Sequence, residues 1–306
     1  MKGIVIKSTG SRYLVEDPDG HLLDCRVRGK VRLEERDTTN PVAVGDHVEI
    51  EQKGDDWIIS TIFPRTNYIV RKATKLSSQR HIIAANIDRA YLVVTPAFPR
   101  TSFGFIDRFL VTAEAYHIPV TLIFNKADLF REGDAVEVLE EMKQVYEAIG
   151  YPCLVVSAYN EKDVQILREQ MQHRTQLMSG HSGVGKSTLI KALEPRLDLV
   201  TKEISPFHLK GQHATTFAEM HRVTGGGYII DTPGIKELGL VDIPRDEISH
   251  YFVEMRALLP GCRFNNCMHV NEPGCAVLEA VKNDMVTPTR YQSYLGMLEE
   301  TENLQK

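Results

Sequence analysis

Short alternations of apolar and polar residues fill the first 70 residues and predict a β domain. Five segments rich in β-branched residues are separated by turns, among them Asp17–Gly20, and none has helical spacing. The predicted strands are GIVIK, RYLVE, HLLDCRV, DHVEIEQ and WIISTIF. Five short strands in residues 1–70 favour a small β-barrel of the oligonucleotide/oligosaccharide-binding (OB) fold, with an SH3-like barrel as the alternative.

From residue 82 the pattern changes to continuous apolar strands that alternate with amphipathic helices. Helical spacing of apolar residues predicts helices at 107–117, 134–149 and 186–193. Apolar runs predict the strands AYLVVT, VTLIF, CLVVS, QLMSG, AEMHRV and YIIDT. Strands that are apolar on both faces are typical of a mostly parallel sheet covered by helices, so residues 82–245 are predicted to form an α/β domain.

Two remaining segments differ from both patterns. Residues 246–306 are helix-prone at ISHYFVEMRALL and after Thr289, with cysteines and a histidine between, and predict a mainly helical C-terminal domain. Residues 71–81 are predicted to be a basic linker. The stretch 65–80 holds five basic residues and no acidic one. It is therefore either a solvated connector or a strip that binds nucleic-acid phosphates.

Composition and charge narrow the class of protein without identifying it. The chain has 306 residues, 42% hydrophobic and 25% charged, and a net charge of −5, so any nucleic-acid surface has to be local. No apolar run reaches the roughly 20 residues of a membrane helix. The N-terminus lacks a secretory apolar region. These features predict a cytoplasmic protein without a membrane partner, and a monomer is expected.

A glycine-rich loop between the predicted strand QLMSG and the helix at 186–193 matches the pattern G-x-x-x-x-G-K-[ST]. Glycines let backbone N–H groups surround a phosphate, Lys186 can reach the β- and γ-phosphates, and the Ser187 hydroxyl can bind Mg²⁺. The helix N-terminus also favours an anion. The predicted phosphate-binding residues are Gly180, His181, Ser182, Gly183, Val184, Gly185, Lys186, Ser187 and Thr188.

Two further motifs follow predicted strands and indicate that the bound base is guanine. Asn125-Lys126-Ala127-Asp128 is an N-K-x-D motif directly after VTLIF. Its aspartate can accept from guanine N1–H and N2–H₂, whereas adenine would leave that carboxylate unpaired. Asn125 is expected to brace the loops, and the Lys126 stem to lie over the base. Ser157-Ala158, after CLVVS, can offer a backbone N–H to guanine O6.

The motif Asp231-Thr232-Pro233-Gly234 after YIID is expected to meet the γ-phosphate and its metal. The Asp231 carboxylate can hold a Mg²⁺-bound water, and the Gly234 N–H can meet the γ-phosphate. Upstream of this motif, Thr215 or Thr216 is expected to bring a hydroxyl to Mg²⁺, and the sequence does not choose between them.

The group that orients the attacking water is not evident from a motif. Many GTPases place a Gln directly after D-x-x-G, whereas this chain has Ile235. His213, with His208 as a second candidate, lies upstream of the motif, and activation by a group from outside the chain is the alternative. The candidate catalytic residues are therefore Lys186, Asp231 and His213, and slow intrinsic turnover is expected.

The motifs occur in a permuted order along the chain: the base-reading pair at 125 and 157, then the phosphate loop at 180 and D-x-P-G at 231. A nucleotide site needs its loops together in space, so chain order is free to permute. With the barrel and the C-terminal cysteines, these motifs resemble the circularly permuted ribosome small subunit-dependent GTPase A family. The resemblance implies an OB-fold barrel, a circularly permuted P-loop GTPase domain and a zinc-binding helical domain.

The resemblance also implies a function. It implies GTP hydrolysis stimulated by the small (30S) ribosomal subunit, contact with its 16S rRNA, and a role in late maturation of that subunit. An RNA-binding platform that uses GTP as a switch with little turnover is the alternative, and the N-K-x-D motif argues against an ATPase. Since the D-x-P-G segment leads into the C-terminal domain, γ-phosphate contacts are expected to bias the position of that domain.

Cysteines cluster in one C-terminal stretch. Cys262-x₄-Cys267-x-His269-x₅-Cys275 supplies three thiolates and one imidazole within 14 residues. Four such ligands are typical of a structural tetrahedral zinc site, and in a reducing compartment clustering favours a metal over disulfides. The family carries ligands at the matching positions. Cys25 and Cys153 lie apart from the cluster and are predicted to be buried core residues.

Overall fold

The computed structural model describes residues 1–27, 40–72, 80–130, 132–197, 218–231, 240 and 242–305. The described strands are β1 Lys2–Ser8, β2 Tyr13–Glu16, β3 Leu22–Val27, β4 His47–Lys53, β5 Asp56–Ile62, β6 Tyr68–Lys72, β7 Arg80–Ala85, β8 Arg89–Val94, β9 Val120–Phe124, β10 Cys153–Val155, β11 Thr175–Gly180, β12 Glu219–Arg222 and β13 Tyr228–Asp231. The α-helices are α1 Phe103–Ala115, α2 Asp134–Ala148, α3 Glu161–Gln170, α4 Lys186–Leu193, α5 Val253–Arg256, α6 Ala276–Lys282 and α7 Pro288–Gln305.

The first five strands close into a small barrel. Its strand order is β1–β2–β3–β5–β4, and β4 returns to pair with β1. The β3–β5 pair is parallel, and the other pairs are antiparallel. Val5, Val15, Ile50 and Ile59 fill the interior from alternating positions and are fully buried. This closed five-stranded barrel supports the predicted OB fold.

The stretch that follows the barrel is not a plain linker. β6 and β7 pair antiparallel, so both ends of the predicted linker 71–81 are strand residues. The sequence pattern misses this hairpin because its strands are short and flank a polar segment. Arg65 does not belong to a phosphate-binding strip, since its guanidinium donates to both oxygens of the fully buried Asp46 at 2.7 and 2.8 Å. Lys75 lies outside the described residues.

A second group of strands forms the predicted parallel sheet. β10, β9, β8, β11 and β13 lie side by side and parallel, and β12 pairs antiparallel beyond β13. Leu92 packs on one face with α1 and α2, and Tyr91 packs on the other face with α3 and α4. Both faces are therefore covered, which explains why these strands are apolar at consecutive positions.

The barrel and the parallel sheet are joined at their edges. β1 of the barrel pairs with β12 at Lys7 and Glu219, whose side chains also form an ion pair. The buried Glu16 of β2 accepts from the Arg222 guanidinium at 2.8 Å and from the Tyr228 hydroxyl at 2.9 Å. The two sheets are thus continuous across the boundary, and the barrel has a defined position beside the α/β domain.

The C-terminal segment is mainly helical, as predicted. A 3₁₀ helix at Arg245–Tyr251 leads into α5, and α6 and α7 follow the cysteine cluster. The helix predicted over ISHYFVEMRALL is interrupted at Phe252, which has an extended backbone and is fully buried beside Met255 and Tyr294. Among the described helices, none combines the length and apolar character that a membrane crossing requires.

A buried ion network attaches this helical segment to the α/β domain. The Arg290 side chain of α7 is 1% exposed and donates to Asp107 of α1 at 2.8 Å and to both oxygens of Glu254 at 2.8 and 3.0 Å. The Tyr146 hydroxyl donates to the same Asp107 oxygen at 2.8 Å. Burial raises the pKa of the Asp107 carboxyl, and the Arg290 guanidinium opposes that rise. Each charge in the network therefore depends on its partner.

We expect Arg290→Met to lower the free energy of unfolding by about 3–5 kcal/mol, because two carboxylates would be left buried without their cation. Urea unfolding monitored by circular dichroism measures this change. Arg256→Met is the matched control, since its guanidinium is 53% exposed in its pair with Glu114. That exposed pair should contribute less than about 1 kcal/mol. Equally small losses in both variants would contradict a structural role for the network.

Candidate functional site

The motif-bearing loops meet at one edge of the parallel sheet. β8, β9, β10, β11 and β13 are parallel, so their carboxyl ends lie together. The register sets Asp231 beside Met178 of β11, and Gly180 beside Val93 of β8. The phosphate loop, the N-K-x-D motif, Ser157-Ala158 and Asp231 therefore face one region. This arrangement is independent of their order along the chain.

The phosphate loop connects β11 to α4 and is closely packed on its inner side. A Cβ at Gly180 would lie 2.4 Å from the Val93 carbonyl oxygen. Gly185 has φ +88°, and a Cβ there would lie 2.5 Å from Asn125 Nδ2. Both positions therefore require glycine. Val184 is fully buried between them and anchors the loop to the core.

Lys186 and Asp231 lie in direct contact at the phosphate end. Lys186 is the first residue of α4, and its Nζ lies 2.6 Å from Asp231 Oδ1. Their side chains are only 12% and 21% exposed. Ser187 and Thr188 follow in the first turn of the same helix, half-buried. An ammonium, a carboxylate and a hydroxyl are thus grouped where a phosphate chain and a divalent cation would be bound.

Asn125 links the base-reading loop to the phosphate loop. Its side chain is 2% exposed, and Nδ2 donates to the Val184 carbonyl oxygen at 2.9 Å. This bond has the bracing geometry expected from the sequence. Lys126 follows in a left-handed backbone conformation, and its Nζ donates to the Phe98 carbonyl oxygen at 2.6 Å. Burial lowers the pKa of the Lys126 ammonium, and nearby Asp128 opposes that change.

Ser157 orients the carboxylate of the N-K-x-D motif. The Ser157 hydroxyl donates to Asp128 Oδ1 at 2.5 Å, and its backbone N–H donates to Asp163 at 2.9 Å. The sequence did not indicate that the Ser157 N–H is already used. A backbone donor for guanine O6 is therefore expected from Ala158 rather than from Ser157.

Sequence reasoning missed a loop that packs on both motifs. The loop after β8 places the Pro99 ring next to Gly183, where a Cβ would lie 3.4 Å from Pro99 Cδ. The same loop supplies the Phe98 carbonyl to Lys126, and in the first turn of α1 the Phe105 ring stacks on His181 with centroids 3.7 Å apart. The available signal was its position after a parallel strand, since loops at that end of a sheet line the site.

Several predicted site residues lie outside the described part of the chain. They are His208, His213, Thr215, Thr216, Gly234 and Ile235. Their assignments to Mg²⁺, the γ-phosphate and the attacking water remain predictions.

The predicted metal ligands converge in the C-terminal segment. One ligand atom from each of Cys262, Cys267, His269 and Cys275 lies within 4.8 Å of the others. His269 Nδ1 is 3.6 Å from the Cys262 sulfur and 3.3 Å from the Cys275 sulfur. Burial lowers the pKa of His269, which favours the neutral imidazole that binds metals. The Tyr291 hydroxyl donates to the His269 carbonyl at 2.7 Å and holds this turn.

The two other cysteines lie apart from this cluster. Cys25 is fully buried in the barrel, as predicted, and Cys153 is only half-buried at the edge of the parallel sheet. Burial raises the pKa of Cys25 to about 11 and that of Cys153 to about 12. Burial therefore favours the protonated thiol at both positions.

Fold and site together define a P-loop GTPase with circularly permuted motifs. The RsgA N-terminal domain family matches residues 2–57, and the RsgA GTPase family matches residues 62–241. The chain belongs to the RsgA GTPase family.

Relatives and solved structures agree over nearly the full length. The small ribosomal subunit biogenesis GTPase RsgA of Bacteroides fragilis is 51% identical, with 99% of this chain and 97% of that protein aligned. The same-named protein of Flavobacterium psychrophilum is 49% identical, with 98% of this chain and 93% of that protein aligned. The crystal structure of YjeQ from Thermotoga maritima matches with a TM-score of 0.79 at 34% identity. The match covers 98% of this chain and 97% of that one. The crystal structure of YloQ, described as a circularly permuted GTPase, matches with a TM-score of 0.74 at 27% identity. The match covers 99% of this chain and 95% of that one.

We expect Asn125→Ala to weaken GDP binding by about 5- to 150-fold. The buried Val184 carbonyl would lose its hydrogen-bond donor, and a buried acceptor without a partner costs about 1–3 kcal/mol. Titration of a fluorescent GDP analogue measures this affinity. Asn283→Ala is the control, since Asn283 is exposed and its side-chain amide donates to Glu279 at the surface. Unchanged affinity in Asn125→Ala would show that this bond does not brace the site.

Proposed function

We propose that this protein is a GTP-hydrolysing ribosome assembly factor that acts on the small (30S) ribosomal subunit during its late maturation. The observation that carries the proposal is the Asn125–Val184 bond, which joins a guanine-reading motif to a phosphate loop. Lys186 and Asp231 meet at the phosphate end of the same site. Relatives that are about 50% identical and aligned over nearly their whole length are named small ribosomal subunit biogenesis GTPases.

The site residues divide between the base and the phosphates of GTP. Asp128 accepts from guanine N1–H and N2–H₂, with its orientation set by Ser157, and the Ala158 N–H meets O6. Asn125 holds the two loops together, and Lys126 lies over the base. Backbone N–H groups of 180–188 surround the phosphates. Of these residues, Lys186 provides the positive charge that stabilises the γ-phosphoryl group during its transfer.

A divalent cation belongs to the phosphate end of this site. The Ser187 hydroxyl and the Asp231 carboxylate are the described groups that would hold Mg²⁺, together with Thr215 or Thr216. When bound, Mg²⁺ neutralises charge on the β- and γ-phosphate oxygens. The Gly234 N–H is assigned to the γ-phosphate. Lys186 and Asp231 contact each other, and this ion pair would have to open for Lys186 to face the phosphates and for Asp231 to hold the cation.

Turnover by the protein alone is expected to be slow. Ile235 follows D-x-P-G and has no group that could orient a water. His213 is the residue of this chain proposed for that role, and contact with 16S rRNA on the 30S subunit is the other source of activation. The OB-fold barrel is proposed to contribute to the RNA contact. We also propose that the protein acts as a monomer in the cytoplasm.

The metal of the C-terminal cluster is proposed to be zinc, one ion per chain. Three thiolates and one imidazole are a ligand set that zinc prefers. For Zn–S of about 2.3 Å and Zn–N of about 2.0 Å, the N-to-S edge of a tetrahedron is about 3.5 Å. The distances of 3.6 and 3.3 Å from His269 Nδ1 to two sulfurs support this fit. Bound zinc would staple the turn at 262–275 to α6 and α7.

The function is tested by GTP turnover with and without purified small ribosomal subunits at a stated salt concentration. We expect the subunits to raise turnover strongly, Lys186→Ala to abolish it, and ATP not to displace labelled GDP. Lys191→Ala, on the exposed side of the same helix, should behave as the original protein. GTP binding without any stimulation would remove the ribosomal subunit as the activator and leave the nucleotide site standing.

Elemental analysis of the purified protein tests the metal. We expect one zinc per chain, and Cys267→Ser should lower the zinc content and the midpoint of thermal unfolding, because metal binding is coupled to folding of the segment. Cys153→Ser is the control, since Cys153 lies outside the cluster. A different metal, or zinc retained in full by Cys267→Ser, would overturn the assignment.

A further inference from the structure

Tyr159 is an exposed aromatic residue at the base end of the nucleotide site. The chain has eleven tyrosines, and the structure describes all of them. Ten are buried or half-buried, whereas Tyr159 is 83% exposed. Its backbone is nevertheless held in place, since the Tyr159 N–H donates to the Ser157 hydroxyl at 3.2 Å. The same hydroxyl bonds to Asp128, so the loop that carries this ring is tied to the guanine-reading carboxylate.

Strand order places Tyr159 on the opposite side of the base from Lys126. β9, which carries the N-K-x-D motif, lies between β8 and β10. The Lys126 ammonium reaches toward β8, where it bonds to the Phe98 carbonyl. Tyr159 follows β10 on the other side. A base whose edge meets Asp128 and the Ala158 N–H would thus have the Lys126 stem toward one face and Tyr159 next to the other.

The same strand order separates Tyr159 from the phosphates. β10, β9, β8 and β11 are successive neighbours, three spacings of about 4.8 Å each. The loop after β10 therefore lies about 14 Å from the phosphate loop after β11. This separation places Tyr159 on the base side of a bound nucleotide and away from its phosphates.

We infer that Tyr159 stacks on the guanine ring of the bound nucleotide, opposite the Lys126 stem, and that this contact sets much of the affinity for the base. Aromatic rings stack on nucleobases with about 1–3 kcal/mol, and the contact needs only a flat face. Exposure of the ring in the free protein is consistent with this role, because the apolar face gains its partner on binding. This inference rests on the proposed function and adds a base-binding residue to it.

The test compares nucleotide and pyrophosphate affinities by calorimetry in the full-length protein. We expect Tyr159→Ala to weaken GDP binding by about 5- to 150-fold. Tyr159→Phe should bind GDP like the original protein, because the ring and not the hydroxyl makes the contact. Inorganic pyrophosphate should bind equally well to the original protein and to Tyr159→Ala. Ile166→Ala, which truncates a 51% exposed side chain on neighbouring α3, is the matched control.

The outcomes separate this inference from the proposed function. If Tyr159→Ala binds GDP as tightly as the original protein, stacking is wrong while the GTPase site stands. If pyrophosphate binding falls in parallel, or Tyr159→Phe loses as much as Tyr159→Ala, the residue acts through loop structure or its hydroxyl, and the inference is again wrong. If the original protein binds no GDP, the proposed function itself fails.

A fluorescence experiment provides an independent readout. The chain has one tryptophan, Trp57 in the barrel, so Tyr159→Trp in a Trp57→Phe background has a single reporter at the site. Stacking on guanine should quench its emission at saturating GDP, and pyrophosphate should leave the emission unchanged. Emission that is insensitive to GDP, in a variant that still binds it, would overturn the inference.

Discussion

The parallel pairing of β11 between β8 and β13 is the constraint on which the rest of the structure depends. It places the phosphate loop beside Asp231 on one side and beside the loop after β8 on the other. Through β8 and β9 it also brings the guanine-reading motif within reach, where Asn125 closes the site by bonding to Val184. Because the carboxyl ends of parallel strands share one edge, the site depends on sheet order and not on chain order. This is the physical reason that a permuted chain can build an ordinary GTPase site.

The helix α1 connects this site to the metal-binding segment. Its first turn carries Phe105, which stacks on His181 of the phosphate loop, and its next turn carries Asp107, which bonds to Arg290 of α7. The C-terminal segment therefore contacts the GTPase domain through a buried and charge-paired interface, in addition to its connection along the chain after D-x-P-G. Because a buried charge without its partner is costly, this network favours one position of the helical segment relative to α1.

Two segments show where local sequence patterns fail to predict the structure. Arg65 looked like one member of a basic strip, but it pairs with the buried Asp46, which lies nineteen positions earlier along the chain. The strands β6 and β7 were hidden because a short apolar run on each side of a polar segment resembles a linker. In the C-terminal segment, a continuous helical pattern is interrupted at Phe252 because burial of its ring beside Met255 and Tyr294 outweighs local helical preference.

The sequence by itself determined the motifs and the fold class: the N-K-x-D motif, the phosphate loop, the cluster of three cysteines and one histidine, and most strands and helices of the barrel and the α/β domain. These features are local, because a motif of four to eight residues carries its own backbone requirements and functional groups. Only the tertiary structure decided that Ser157 bonds to Asp128, that Phe105 stacks on His181, that Arg290 joins α7 to α1, and that Tyr159 stands exposed after β10. Those relations join residues far apart in the chain, and they arise from packing and sheet order, which no short segment encodes.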